Sequence, residues 1–247
     1  MDRPGRYGTM SAAMIWIGTS GYNYPEWKGS FYPSDLPNTK MRPYYSSRFS
    51  TVEINYSFYR MPSEKTLDGW ASETPDGFVF TLKAWRRITH DSRLQQCEDL
   101  LGGFDNRARS LGPELGVILF QLPPSFKKDL AVLGDFLAMM APGRRAAFEF
   151  RHKSWMFDDV FDLLKSRNVA LCIADGEKIA TPLVMTADYG YFRLRDEGYQ
   201  SADIERWGDT IRECSAGLSD AFVYFKHEEQ GVGPEFARLL SERLSIS

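Results

Sequence analysis

A carboxylate and a guanidinium stand two residues apart at the end of an apolar segment, at Glu149 and Arg151. The segment runs from Ala146 to Phe150 and has the composition of a buried strand. Because side chains on a strand alternate between its two faces, Glu149 and Arg151 are expected on one face and Phe148 on the other. Isolated charges are unfavourable at such a position. The pair is therefore either a structural ion pair or part of a site that binds anions or transfers protons.

The seven other apolar segments of the chain also end in polar or glycine-rich residues. They are Met14–Gly18, Thr51–Ile54, Phe78–Leu82, Gly116–Phe120, Val169–Ala174, Tyr189–Leu194 and Ala221–Phe225. Most intervals have room for a helix with helical apolar spacing, such as Leu130, Leu133, Phe136 and Leu137. The interval over residues 176–188 is too short for a long helix and is interrupted by Pro182. Buried strands that alternate with helices indicate a parallel sheet covered by helices.

Eight such units in 247 residues predict a (β/α)8 TIM barrel. An open doubly wound sheet is the alternative fold, but its G-x-G-x-x-G motif is absent after the first strand. We expect a single domain over residues 14–247, preceded by a flexible N-terminal tail over residues 1–13.

The C-terminal ends of the strands build the active site in barrels of this kind. Carboxylates there can act as acids or bases, and a lysine whose pKa is lowered can act as a nucleophile. The predicted catalytic residues are Glu53, Lys83, Glu149 and Asp175. Aromatic, amide and guanidinium groups near the same ends suit substrate binding. The predicted substrate-binding residues are Tyr22, Trp27, Asn55, Tyr59, Gln121, Arg151, Trp155 and Arg193.

Lys83, Arg151 and Arg193 in one barrel mouth favour an anionic ligand, because guanidinium groups match phosphate and carboxylate oxygens. A predicted anion-binding segment follows the last strand, with Lys226, Gly231 and Gly233 before a helix that begins near Pro234. An ordinary glycine turn is the other interpretation of this segment. The carboxylates are also candidate ligands for a divalent metal, which the neighbouring cations would repel. No cofactor is predicted.

Composition and cysteine spacing argue against several classes of function, although nucleic acid stays a possible partner that is not favoured. The net charge of −3 gives no bulk attraction to nucleic acid. Cys97, Cys172 and Cys214 are widely spaced and lack a C-x-x-C pair, which argues against disulfides and zinc ribbons. A reducing, cytoplasmic location fits them best. No apolar run reaches the roughly 18 residues that a membrane span requires, so no membrane partner is expected.

Several motifs, in a fixed order, resemble the YecE-like family, the domain of unknown function numbered 72. They are Ile17-Gly18-Thr19-Ser20-Gly21-Tyr22 with Trp27 and Phe31-Tyr32-Pro33; Val52-Glu53-Ile54-Asn55-Tyr56-Ser57-Phe58-Tyr59 with Pro62-Ser63; Phe80-Thr81-Leu82-Lys83 with Ile88-Thr89-His90; Gln121-Leu122-Pro123-Pro124-Ser125-Phe126; and Phe148-Glu149-Phe150-Arg151-His152 with Ser154-Trp155, followed by Asp175. The resemblance implies a TIM barrel and supplies no reaction. The chain departs from it at Phe225-Lys226-His227, where the family pattern reads Phe-Asn-Asn.

Three hypotheses for function follow. The preferred one is an enzyme, such as a hydrolase, lyase or isomerase, that acts by acid–base chemistry on a small anionic or phosphate-bearing substrate. In it, Glu53 and Glu149 transfer protons while Lys83, Arg151 and Arg193 bind charge. A noncatalytic nucleotide or nucleic-acid binder and a metal-assisted hydrolase are the alternatives. The preferred hypothesis requires these five residues and Asp175 to share one cavity.

Overall fold

The fold is known from a computed structural model, which describes residues 13–176, 180–229 and 231–246. The tail predicted over residues 1–13 lies outside the described residues except for Ala13. The part of the chain that the structure describes contains the complete set of predicted strands.

Eight parallel strands close into a barrel in chain order, with β1 paired to β8. The strands are β1 (Met14–Ser20), β2 (Thr51–Ile54), β3 (Val79–Lys83), β4 (Leu115–Gln121), β5 (Ala146–Glu149), β6 (Ala170–Ala174), β7 (Tyr189–Leu194) and β8 (Asp220–Phe225). All eight overlap the predicted apolar segments. The structure therefore confirms the (β/α)8 barrel and excludes the open sheet.

Helices cover the outside of the barrel. They are α1 (Met41–Ser46), α2 (Tyr56–Tyr59), α3 (Glu64–Ser72), α4 (Glu98–Ala108), α5 (Leu130–Met139), α6 (Asp158–Lys165), α7 (Ser201–Cys214) and α8 (Val232–Leu244). Side chains cap some of their first turns: Ser63 Oγ accepts from Thr66 N at 3.2 Å, and Asp129 Oδ1 accepts from Val132 N at 3.0 Å. The described residues between β6 and β7 form no helix, because this connection is short and contains Pro182.

The strand alternation decides which side chains reach the site. In β5, Phe148 points outward and packs between Phe120 and Phe136, with ring centroids 5.2 and 6.0 Å away. Ala147 belongs instead to the cluster that fills the barrel interior. Glu149 therefore points inward at the C-terminal end, as the period of two predicts.

Gly18 marks the closest approach of β1 to β2. A Cβ atom at this position would lie 2.2 Å from the carbonyl oxygen of Thr51, which is backbone and cannot rotate away. We expect Gly18→Ala to lower the free energy of unfolding by about 1–3 kcal/mol through overpacking. Gly134→Ala is the matched control, because Gly134 lies inside α5 with nothing within 4 Å of its added Cβ. It should raise stability by about 0.5–1 kcal/mol. Denaturant unfolding of both variants tests this prediction. Equal changes in the free energy of unfolding would contradict it.

Candidate active site at the C-terminal end of the barrel

Arg193 lies at the centre of a buried ion network. From β7 it donates to both carboxylate oxygens of Glu53, with Nε at 3.0 and 3.1 Å from them. Its Nη1 donates to Oε2 of Glu149 at 3.0 Å. The side chains of Arg193, Glu53 and Glu149 are at most 1% exposed. One guanidinium thus compensates two carboxylates from β2 and β5 inside the barrel.

Two hydroxyl groups complete the surroundings of Glu53. Ser20 Oγ donates to Oε1, and Tyr191 Oη donates to Oε2 at 2.5 Å. The Ser20 hydroxyl in turn accepts from Asn55 Nδ2 at 2.7 Å and from Arg193 Nη2 at 3.1 Å. Each oxygen of Glu53 therefore has several donors, as a buried carboxylate requires.

A second branch of the network leads from Glu149 to Lys83. Gln121 Nε2 donates to Glu149 Oε2 at 2.8 Å, and Gln121 Oε1 accepts from Lys83 Nζ at 2.9 Å. The amide of Gln121 is oriented by these two partners, since only its oxygen can accept from the ammonium group. The ends of β3, β4, β5, β7 and β2 are thereby joined into one polar layer.

The environments of Glu53 and Glu149 fix their charge. Burial opposes ionisation of both, but the charge of Arg193 and the hydrogen bonds outweigh it and lower the pKa of each. For Glu149, where Arg195 also contributes, the pKa falls to about 2. Both carboxylates are consequently ionised and held by several donors at neutral pH. Proton transfer by Glu53 and Glu149 stays a prediction, which the lowered pKa values of both carboxyl groups disfavour.

Lys83 titrates much closer to neutrality. Burial, together with repulsion from Arg193, lowers the pKa of Lys83 to about 8. The amine is 9% exposed and lies 4.3 Å from the centre of the Phe58 ring, on the side of the mouth formed by α2. His90 packs edge-on against the same ring at 4.9 Å. Burial and the positive charges of Lys83 and Arg86 lower the pKa of His90.

Asp175 follows β6 and is fixed by Arg195. Its Oδ1 accepts from the backbone N of Arg195 at 2.6 Å, and Arg195 Nε donates to the carbonyl oxygen of Asp175 at 2.8 Å. Burial raises the pKa of Asp175 to about 6. Arg195 also connects Asp175 to the network, because its Nη1 lies 3.7 Å from Glu149 Oε1. Two groups at this end of the barrel therefore titrate near neutral pH, Lys83 and Asp175.

Some predicted site residues lie apart from this network. Arg151 follows the end of β5, is half-buried, and forms no ion pair within the described ranges. Of the two interpretations of Glu149 and Arg151, the structural ion pair between them is wrong, because Arg193 and Arg195 are the cations that contact Glu149. Burial lowers the pKa of Arg151, and the charge of Glu149 partly restores it.

The predicted aromatic contacts divide into two groups. Trp27 and Trp155 are 0% exposed, and their indole N–H groups donate to the carbonyl oxygens of Glu228 and Phe126. Their predicted role in substrate binding is wrong, because neither ring has a face open to a ligand. Tyr22 is half-buried beside a cavity of about 260 Å³ that Asn55 also lines. Tyr59 is 70% exposed along a groove of about 860 Å³ outside the barrel.

The segment predicted to bind anions is packed tightly. Gly231 has a φ of +79°, and an added Cβ would lie 2.4 Å from Ser30 Oγ; at Gly233 it would lie 2.7 Å from the carbonyl oxygen of His227. These contacts require glycine at both positions without any ligand. Lys226 is 38% exposed and lies 3.8 Å from Glu228. Anion binding by these three residues stays a prediction.

Three residues of the network were absent from the prediction. Ser20 and Arg195 are recognisable in the sequence only as polar residues at the ends of β1 and β7. Tyr191 lies inside β7 two residues before Arg193, and the alternation of side chains is the signal that places both on the inner face. Within the ranges described, no group of three or more His, Cys, Asp and Glu is placed to hold a metal ion.

Other proteins resemble this chain in sequence and in fold. The sequence model of the family described as "Protein of unknown function DUF72" matches residues 16–247. The UPF0759 protein YunF of Bacillus subtilis (strain 168) is 26% identical, and the alignment covers 94% of this chain and 95% of that protein. The UPF0759 protein YecE of Escherichia coli (strain K12) is 31% identical over 56% of this chain and 49% of its own length.

Solved structures have the same architecture. A DUF72 family protein of Thermotoga maritima MSB8 superimposes with a TM-score of 0.84 at 25% identity, covering 94% of this chain and 99% of that one. A DUF72 family protein of Enterococcus faecalis V583 does so with a TM-score of 0.81 at 17% identity, covering 95% and 96%. No helix in the described residues has the length and apolar character needed to cross a membrane.

Proposed function

The chain belongs to the family described as protein of unknown function DUF72, and we propose that it is an enzyme that performs acid–base chemistry on a small anionic substrate in the barrel mouth. In this proposal, the Asp175 carboxylate takes a proton from the substrate and the Lys83 ammonium group stabilises or protonates the charge that develops. Such proton transfer next to an anionic group is the chemistry of isomerases and lyases.

The observation that carries the proposal is the contrast between four ionisable groups at one end of the barrel. Glu53 and Glu149 have lowered pKa values and stay ionised, whereas the pKa of Lys83 falls to about 8 and that of Asp175 rises to about 6. At pH 7, Asp175 is mainly a carboxylate and Lys83 mainly an ammonium ion. Both are thus in the protonation state that a base and an acid need.

The charge around the mouth supports an anionic substrate. Glu53 and Glu149 together outweigh the charge of Arg193, but Lys83, Arg195 and Arg151 add three positive charges, so that these groups and the Asp175 carboxylate carry a net charge of +1. Arg195 is 23% exposed, so its guanidinium is accessible while its Nε stays bonded to Asp175. A guanidinium held in this way binds a carboxylate or phosphate with little loss of side-chain entropy.

We expect the protein to exchange a carbon-bound proton of its substrate with solvent. Purified protein is incubated in D2O with a panel of small carboxylates and phosphates, and the loss of C–H signals is followed by NMR. The exchange rate should have a bell-shaped pH dependence, because Asp175 must be ionised, above about pH 6, and Lys83 protonated, below about pH 8. Asp175→Asn and Lys83→Met should each slow exchange at least about 100-fold.

Lys165→Met is the matched control for the lysine variant, because Lys165 is 50% exposed on α6 and pairs with Asp162, away from the barrel mouth. It should leave exchange unchanged. The proposal is contradicted if the lysine and aspartate variants exchange at the wild-type rate. It is also contradicted if the exchange rate falls neither below about pH 6 nor above about pH 8.

A further inference from the structure

Glu149 has one carboxylate oxygen whose hydrogen-bonding capacity is unused. Its Oε2 accepts from Arg193 Nη1 at 3.0 Å and from Gln121 Nε2 at 2.8 Å. Its Oε1 is buried and has no hydrogen-bond donor among the described residues. The nearest cationic atom, Arg195 Nη1, lies 3.7 Å away, beyond hydrogen-bond distance.

An ionised oxygen in this position needs a donor. The side chain of Glu149 is 1% exposed, and its lowered pKa keeps it charged throughout the neutral range. Nearly all buried polar atoms in proteins have a hydrogen-bond partner, and a carboxylate oxygen without one is strongly destabilising. The donor can therefore come from the molecule that the mouth binds.

The surroundings of Oε1 select the kind of donor. An ammonium group would be repelled by Arg193, Arg195 and Lys83, whose positive charges all act on Glu149. A neutral hydroxyl group donates an equally direct hydrogen bond without that repulsion. The same three cations attract an anionic group elsewhere on the ligand.

A further acceptor without a donor lies directly after β2. Asn55 Oδ1 is buried without a partner among the residues described, and Asn55 lines the cavity of about 260 Å³. The amide cannot be turned round, because Ser20 Oγ donates to Glu53 and must accept from Asn55 Nδ2. Asn55 Oδ1 can therefore accept from a ligand in that cavity, independently of Glu149.

From these contacts we infer that the substrate is a small hydroxylated anion, of which one hydroxyl donates to Glu149 Oε1 while Arg195 binds the anionic group. The inference rests on the proposed function and names the substrate class for the same site. It makes Glu149 a substrate-binding residue rather than an acid or base.

Matched pairs of probes test this inference. Isothermal titration calorimetry compares sn-glycerol 3-phosphate with n-propyl phosphate, and D-glycerate with propionate, which differ within each pair only in their hydroxyl groups. A hydrogen bond to a charged group predicts that the hydroxylated member of at least one pair binds about 10- to 100-fold more tightly. The pair with this preference identifies the anionic group as phosphate or carboxylate.

Variants separate the two halves of the site. In Glu149→Gln the amide oxygen must replace Oε2, because that position accepts from Arg193 and Gln121, so an N–H group replaces Oε1. The hydroxyl preference should fall at least about tenfold in this variant. Arg195→Met should weaken the binding of both probes in a pair while leaving the ratio of their affinities unchanged. Glu213→Gln, an exposed change near the end of α7, should alter neither.

Equal affinities within both pairs of wild-type protein would overturn the inference, and so would binding by none of the four probes. Equal affinities are also what a water molecule permanently bound to Oε1 predicts. This result alone would leave the proton-exchange proposal in place, since Lys83 and Asp175 are tested by exchange rates rather than by hydroxyl preference. If Glu149→Gln does not fold, the inference is still tested by the ratio of affinities within each pair for the wild-type protein and by the affinities of Arg195→Met.

Discussion

Replacing Arg193 by methionine should lower the free energy of unfolding by about 3–5 kcal/mol. Glu53 and Glu149 are at most 1% exposed, and Arg193 is the cation that donates directly to both. Without it, Glu53 loses the cation that contacts it, and Glu149 keeps only the weaker contact with Arg195 at 3.7 Å among the described residues. The measurement is denaturant unfolding at pH 7, with a thermal midpoint expected to fall by about 10 °C.

Two comparisons isolate the charge effect in this experiment. Arg212→Met removes an exposed arginine that pairs with Asp209, and it should change stability by less than about 1 kcal/mol. Combining Arg193→Met with Glu53→Gln and Glu149→Gln removes all three charges and should recover part of the loss. A loss below about 1 kcal/mol in the single variant would contradict the central position of Arg193.

Acid should destabilise the wild-type protein through Glu149. A pKa of about 2 in the folded chain, against 4.5 in the unfolded one, corresponds to roughly 3 kcal/mol of stability. Because the folded pKa is the lower one, this stabilisation is fully present above about pH 4.5. It is lost as the pH falls towards 2, with about 2 kcal/mol gone at pH 3.

The Glu149→Gln variant should therefore have a shallower loss of stability between pH 6 and pH 3 than the wild type. Denaturant unfolding at both pH values measures this difference. Glu213→Gln should keep the wild-type pH dependence, because Glu213 is exposed. Parallel curves for wild type and Glu149→Gln would show that Glu149 is not held ionised by its neighbours.

The sequence predicts the barrel and the meeting of Glu53, Lys83, Glu149 and Arg193 because both depend on regular geometry. Parallel strands bring their C-terminal ends to one side, and a period of two selects the inward side chains. Neither inference needs knowledge of a single contact distance. The prediction is correct for residues that lie within strands or directly at their ends.

Pairing and burial depend on three-dimensional detail that the sequence does not contain. Arg151 is two residues from Glu149 in the chain, yet Arg193 from β7 is the residue that bonds to it. Burial raises the pKa of Asp175, whereas the charge and hydrogen bonds of Arg193 outweigh burial and lower the pKa of Glu53. The burial of Trp27 and Trp155 follows from how loops fold over them.

The sequence patterns also do not predict the local backbone geometry after β3. A single π-helical turn over Arg87–Asp91 is followed by the left-handed residues Arg93, Leu94 and Gln96. Nothing in their side chains favours that conformation, which L residues adopt at an energetic disadvantage. The segment holds His90 beside Phe58 at the mouth, and a helical pattern alone would have placed it differently.

The pKa of Lys83 is the most direct test of the proposed chemistry. Reductive 13C-methylation, or 13Cε labelling of lysine, with Lys83→Arg used for assignment, allows its titration to be followed by NMR. The buried amine beside Arg193 should titrate near pH 8, while an exposed lysine such as Lys165 serves as the internal reference. A value for Lys83 close to the ordinary 10.5 would contradict its proposed role as the acid of the barrel mouth.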